Sequence, residues 1–132
     1  MGNILDAIEG LEDVRFIKPA DPKQIENAQE VLGVTFAEDY KEYLGKYGVI
    51  SAKGLELTGI AAVDRLNVVK VTQQERKMNK IMPTDMYVIE NTAVDGIVAL
   101  QNAEGKIYTI TMDGKLEFFS TSLADYVNKA KL

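Results

Sequence analysis

Apolar residues recur at helical spacing in the first third of the chain and in short runs or alternation in the last third. The first pattern predicts amphipathic helices, and the second predicts strands. The clearest helical stretch begins at Pro22, where Asp21 supplies an N-cap, and Gly33 is suited to end the first of its two helices. We therefore expect a pair of short helices in residues 22–48.

The second helix of this pair begins with acidic residues and carries a stripe of tyrosines. Glu38 and Asp39 lie in its first turn, where the helix dipole favours negative charge. Its apolar positions keep the spacing of a buried stripe, at Tyr40, Tyr43, Leu44 and Tyr47. An exposed aromatic patch for a partner is the alternative, but we expect rings in the core with their hydroxyl groups at its rim.

Residues 61–80 carry two conflicting signals. Their valines favour a strand by propensity, whereas the charged and amide residues that follow favour a helix. Asn67 is an acceptable N-cap, and the positions after it keep helical spacing. We therefore predict a helix from about Asn67 to Asn79.

Strand-like runs dominate the chain after Pro83. Four of them predict strands, at residues 86–89, 97–100, 107–111 and 116–119, and we expect three adjacent strands joined by short turns to form an antiparallel meander. The first run is continuously apolar, which is typical of a central strand buried on both faces. Asp113 and Gly114 signal a hairpin between the last two runs, and Ser122 is placed to cap a final helix.

The order of these elements predicts an α+β fold in one domain that spans residues 1–132. We expect an antiparallel sheet of about four to six strands with helices packed against it, a helical N-terminal part and a C-terminal helix. A chain of 132 residues buries roughly two thirds of its unfolded surface, so its core needs no disulfide.

The chain has no cysteine and no histidine. These absences exclude disulfides, Ser-His-Asp triads, Cys-His dyads and conventional zinc sites. There is no glycine-rich phosphate loop either, so we expect no catalytic residue, metal or cofactor. The apolar runs are too short to cross a bilayer, and no basic stretch precedes an apolar core near the N-terminus. We therefore expect a cytoplasmic protein that does not bind membranes.

The net charge of −5 is unevenly distributed. Residues 1–48 hold ten acids and five bases, whereas residues 49–132 hold ten of each. This acidic half would repel a phosphate backbone, so we expect no nucleic-acid binding, and it suits a basic protein partner. Mere solubility is the competing explanation. Residues 65–80 carry five bases against one acid, which we interpret as a solvated helical face.

The run from Leu32 to Gly48 contains four dipeptides in a fixed order: Leu32-Gly33, Asp39-Tyr40, Tyr43-Leu44 and Tyr47-Gly48. This order resembles the helical signature of the SUKH superfamily, which includes fungal cell-wall assembly regulators and many bacterial immunity proteins. The chain departs from the family at Phe36-Ala37, where Leu-Pro is commoner. The family also has an antiparallel sheet and a C-terminal helix, so the resemblance extends from about residue 20 to the end.

The resemblance implies a non-enzymatic immunity protein that neutralises a toxin, often a nuclease in this family, by occlusion. The partner would be a basic toxin domain. We expect it to contact acidic side chains on the second helix and on turns of the sheet: Glu38, Asp39, Glu42, Asp95 and Asp113. A regulatory scaffold domain is one alternative. Another is a small-ligand protein or enzyme that uses carboxylates alone, for which Glu90 and Asp95 are the candidates.

Overall fold

The computed structural model describes residues 3–92 and 96–130, and these residues form five α-helices and seven strands. The helices are α1 (Ile4–Glu9), α2 (Pro22–Leu32), α3 (Glu38–Tyr47), α4 (Val68–Met78) and α5 (Leu123–Ala130). The strands are β1 (Arg15–Phe16), β2 (Ile50–Ala52), β3 (Leu55–Glu56), β4 (Tyr87–Asn91), β5 (Val98–Gln101), β6 (Ile107–Ile110) and β7 (Leu116–Ser120).

Local capping signals decide where the helices begin and end. Asp21 and Gln24 form a complete capping box at the start of α2, and Gly33 ends this helix with a φ of 69°. The side chain of Asn67 caps α4, which resolves the ambiguity of residues 61–80 in favour of the predicted helix. The hydroxyl group of Ser122 accepts the Asp125 N–H at the start of α5.

The strands form two antiparallel sheets, which confirms the predicted α+β class. A small sheet has the order β1-β2-β3, and a four-stranded meander has the order β4-β5-β6-β7. The prediction that residues 86–89 form a central strand is wrong, because β4 lies at an edge of the meander. The strand is nevertheless buried, since Thr58 N–H donates to Ile89 O (2.8 Å) and the segment after β3 covers the strand.

The meander has two faces with different cover. On what we term the first face, Tyr87, Ala99 and Ile107 belong to the main core, together with residues of α1, α3 and α5. On the second face, Val88, Leu100 and other apolar residues pack with Val71 of α4 and with the methionines at 82 and 86. Side chains of a strand alternate between faces, which is why both cores draw on the same three strands, β4, β5 and β6.

Candidate functional site

The start of α3 presents the acidic side chains that sequence reasoning singled out. Glu38 and Glu42 are exposed and lie one helical turn apart, so their carboxylates share one side of the helix. Lys41 forms an ion pair with Glu38 (Nζ to Oε1, 3.2 Å). This pair is exposed on the Glu38 side, and such pairs contribute little to stability.

Asp39 faces inward and joins three elements. Its Oδ1 accepts a hydrogen bond from Gln101 Nε2 of β5 (3.1 Å), and its Oδ2 accepts the backbone N–H of Leu123 at the start of α5 (2.8 Å). The first N–H groups of a helix have no partner within the helix, and a carboxylate there is also favoured by the helix dipole. Asp39 therefore has a structural role whether or not it contacts a partner.

A second contact fixes the start of α3. The preceding residue, Ala37, has no capping side chain, and its N–H donates instead to the hydroxyl oxygen of Tyr87 (2.9 Å). The Tyr87 hydroxyl in turn donates to Oε1 of Gln101 (2.7 Å), the residue that also contacts Asp39. The direction in which Glu38 and Glu42 project is thus set by a hydrogen-bonded network.

The structure does not bring all the predicted acidic residues together. Gly105, in the β5–β6 turn, lies beside Ala37 and Asp39. Asp113 lies in the β6–β7 turn, which is at the opposite end of β6, and four residues of strand span about 13 Å. A hydrogen bond from the Thr111 hydroxyl holds the pKa of Asp113 below its ordinary value. Asp95 lies outside the described residues.

The tyrosine stripe of α3 lies in the core, as expected from its spacing. The prediction that the hydroxyl groups reach its rim is wrong for Tyr40 and Tyr43, which have no exposed surface. Tyr43 donates to Thr58 O (2.8 Å) and accepts the N–H of Ile50 (3.1 Å), while the Tyr40 hydroxyl lies 3.0 Å from Thr58 Oγ1. Thr58 satisfies these hydroxyl groups in the interior.

Glu90 is a buried carboxylate that a bulge turns toward α5. The β4–β5 register shifts between Val88 and Glu90, so the side chain of Glu90 reaches the first face. There it accepts the N–H of Glu56 (2.8 Å) and the hydroxyl of Tyr126. Burial raises the pKa of Glu90, although both hydrogen bonds act in the opposite direction.

A groove of about 780 Å³ runs between α4 and the β3–β4 edge, lined by residues that include Arg65, Gln74 and Glu75. Burial raises the pKa of Glu75 as well. A carboxylate-only enzyme needs two such acids in one pocket. Among the described residues, the acids whose pKa is raised are Glu75 and Glu90. They lie on different faces of the meander, because Glu90 contacts α5 on the first face, whereas α4, which carries Glu75, packs on the second.

Within residues 3–92 and 96–130, no group of three or more Asp, Glu, His or Cys side chains is placed to hold a metal ion. In the same ranges, no helix combines the length and the apolar character that crossing a membrane requires.

The fold and the site define a class: a small α+β domain whose polar network is internal and whose acidic helix start is exposed. A family model described as "SUKH_5: SMI1-KNR4 cell-wall" matches residues 1–131. The chain therefore belongs to the SMI1-KNR4 family, as the motifs of residues 32–48 indicated. A search of curated proteins finds no match.

Proposed function

We propose that the chain is a non-enzymatic protein-binding module of the immunity type, which binds a basic toxin domain in the cytoplasm and blocks it by covering its active cleft. Membership of the SMI1-KNR4 family supports the class of function. The observation that carries the proposal is the pair of exposed carboxylates, Glu38 and Glu42, on a helix start that internal hydrogen bonds hold in place.

The mechanism follows from charge and rigidity. A nuclease must attract phosphate groups with basic side chains, and an acidic surface of fixed geometry competes for the same cleft. Because Asp39 holds α3 against β5 and α5, little conformational freedom of α3 is lost on binding. Long-range attraction between the acidic half of this chain and a basic toxin would also speed their encounter.

The test measures association with a toxin domain encoded next to this chain. Replacing Glu38 and Glu42 with Gln should slow association several-fold and make it less sensitive to salt, since two steering charges are removed. Glu26→Gln with Glu30→Gln is the matched control, because these two exposed acids have the same spacing on α2. Asp39 is left unchanged because its replacement would disturb α5.

Two results would contradict the proposal. One is binding that ignores both ionic strength and the Glu38 and Glu42 substitutions, which would show that another surface recognises the toxin. The other is turnover of a substrate by the purified chain alone, which would show that the chain is an enzyme.

A further inference from the structure

The outer edge of β7 presents main-chain groups to solvent. Thr111 N–H donates to Lys115 O (3.1 Å) at the β6–β7 turn, and inward and outward pairs then alternate along an antiparallel ladder. Glu117 is therefore bonded to Thr109, whereas the N–H and C=O groups of Leu116 and Phe118 point away from β6. Within residues 3–92 and 96–130, no other element donates to or accepts from these outward groups.

The side chains of this edge have a regular pattern. Leu116 and Phe118 lie on the second face, where Phe118 is 54% exposed and contacts the ring of Tyr108. Ile81 and Met112 are also exposed apolar residues. Ile81 lies beside Gly114 in the β6–β7 turn, and Met112 lies beside Gly96, which precedes β5. Between Leu116 and Phe118, the carboxylate of Glu117 projects from the first face.

The available edge is short. Beyond Phe118, Lys129 Nζ donates to the Phe119 carbonyl (2.6 Å) and lies over the Phe119 ring (4.7 Å). A lysine at an edge strand commonly prevents pairing with another chain. Pairing is therefore confined to the three residues from Leu116 to Phe118.

A second copy of this chain fits that edge poorly. The register that satisfies all four outward groups pairs Leu116 of one copy with Phe118 of the other, and it places Glu117 opposite Glu117. Like charges directly opposite one another destabilise a strand pair. Centring the pair on Leu116 would bring Glu117 opposite Lys115, but Phe118 would then face Gly114, whose N–H already donates to Thr111 O (2.9 Å).

We propose that this edge binds an extended strand of a protein partner with an apolar–basic–apolar sequence. The partner's main chain would bond the outward groups of Leu116 and Phe118, its basic side chain would face Glu117, and its apolar side chains would cover the second face. Lys115 already lies 3.3 Å from the Glu117 carboxylate, but both side chains are exposed and leave room for a second cation. The inference rests on the proposed function only for the existence of a basic protein partner.

The test is an NMR titration of the full chain with a capped Thr-Val-Lys-Val-Thr peptide. The amide signals of Leu116 and Phe118 should shift together and become protected from hydrogen exchange, because these outward N–H groups gain acceptors. A Thr-Val-Glu-Val-Thr peptide is the matched control and should bind several-fold more weakly. Equal binding of both peptides, shifts centred elsewhere, or no shift would overturn the proposal.

A substitution makes the test sharper. Phe118→Pro removes one outward N–H, and an edge strand accepts proline where that N–H faces solvent. Phe118→Ala is the control for loss of the ring. The proline variant should bind the lysine peptide roughly 2- to 10-fold more weakly than the alanine variant. Slow exchange of the Thr109 amide would show that the sheet is intact. If a toxin domain binds without shifting Leu116 and Phe118, this inference fails while the proposed function stands.

Discussion

The two edges of the four-stranded sheet differ in their cover: other segments of the chain hydrogen-bond to β4, whereas the outer edge of β7 is open. At β4, Thr58 N–H donates to Ile89 O (2.8 Å), Thr58 Oγ1 donates to Val88 O (2.7 Å), and Val88 N–H donates to Thr72 Oγ1 (3.0 Å). At β7, the main-chain groups of Leu116 and Phe118 face solvent. An exposed edge strand invites pairing with other chains, so natural proteins cover it or retain it for a purpose.

The difference separates the part of the molecule that maintains the fold from the part that is free to bind. The β4 edge is covered by Thr58, which also forms hydrogen bonds with the hydroxyl groups of Tyr40 and Tyr43 of α3. Helix α3 and the meander therefore meet at Thr58, two residues after β3. Substitutions near Thr58 should reduce stability, whereas substitutions at the β7 edge should change binding and leave the fold intact.

The largest expected contrast compares one substitution at both edges. Leu57 precedes Thr58 and has no exposed surface, so Leu57→Ala should lower the free energy of unfolding by about 2–5 kcal/mol. Leu116→Ala at the β7 edge should lower it by less than about 1 kcal/mol, since Leu116 is 38% exposed. Urea unfolding of both variants measures the contrast. Equal losses would mean that the β7 edge also supports the fold.

A smaller effect should follow from removing a single hydroxyl group. Thr58→Val keeps the branched shape but leaves Val88 O without its donor and removes the contact between Oγ1 and the Tyr40 hydroxyl, which should cost about 1–3 kcal/mol. Thr109→Val in β6 is the control, because the described residues give the Thr109 side chain no hydrogen bond. It should change stability by no more than about 0.5 kcal/mol. Thermal unfolding with similar losses for both variants would argue against a special role for Thr58.

Local signals explain which parts of this fold were predictable. The capping box at Asp21, the left-handed Gly33 and the cap at Asn67 each act within a few residues, so the bounds of α2 and α4 followed from the sequence. The edge position of β4 did not, because a run of four apolar residues is the same whether strands or loops cover it. The cover comes from Thr58, thirty residues away from Val88.

The site was predictable in type but not in geometry. Acidic residues in the first turn of α3 are a local feature, and Glu38 and Glu42 are exposed as a solvated face requires. That Asp39 turns inward depends on Leu123, 84 positions later, which no periodic pattern reveals. The apolar run at residues 116–119 predicted the strand, but only the strand order shows that its edge is open.

The smallest expected effect concerns the carboxylate that joins the two sheets at the β4 edge. Glu90 is 7% exposed, and it contacts the Glu56 N–H of β3 and the Tyr126 hydroxyl of α5, with the Glu56 carboxylate as a nearby like charge. Burial raises its pKa in the folded state, whereas the unfolded chain has an ordinary glutamate pKa. Between these two values the folded state binds more protons, so stability should fall as the pH rises.

Glu90→Gln removes this titration while keeping an oxygen to accept the Glu56 N–H. Urea unfolding across the acidic range up to neutrality should show the fall in the unmodified chain and a flatter profile in the variant. Glu75→Gln is the control, because Glu75 also has a raised pKa but contacts neither Glu56 nor Tyr126. Its stability should still show the fall with rising pH that Glu90 causes. If Glu90→Gln leaves the profile unchanged, water or a local opening reaches the β4 edge, and this edge is less closed than its hydrogen bonds indicate.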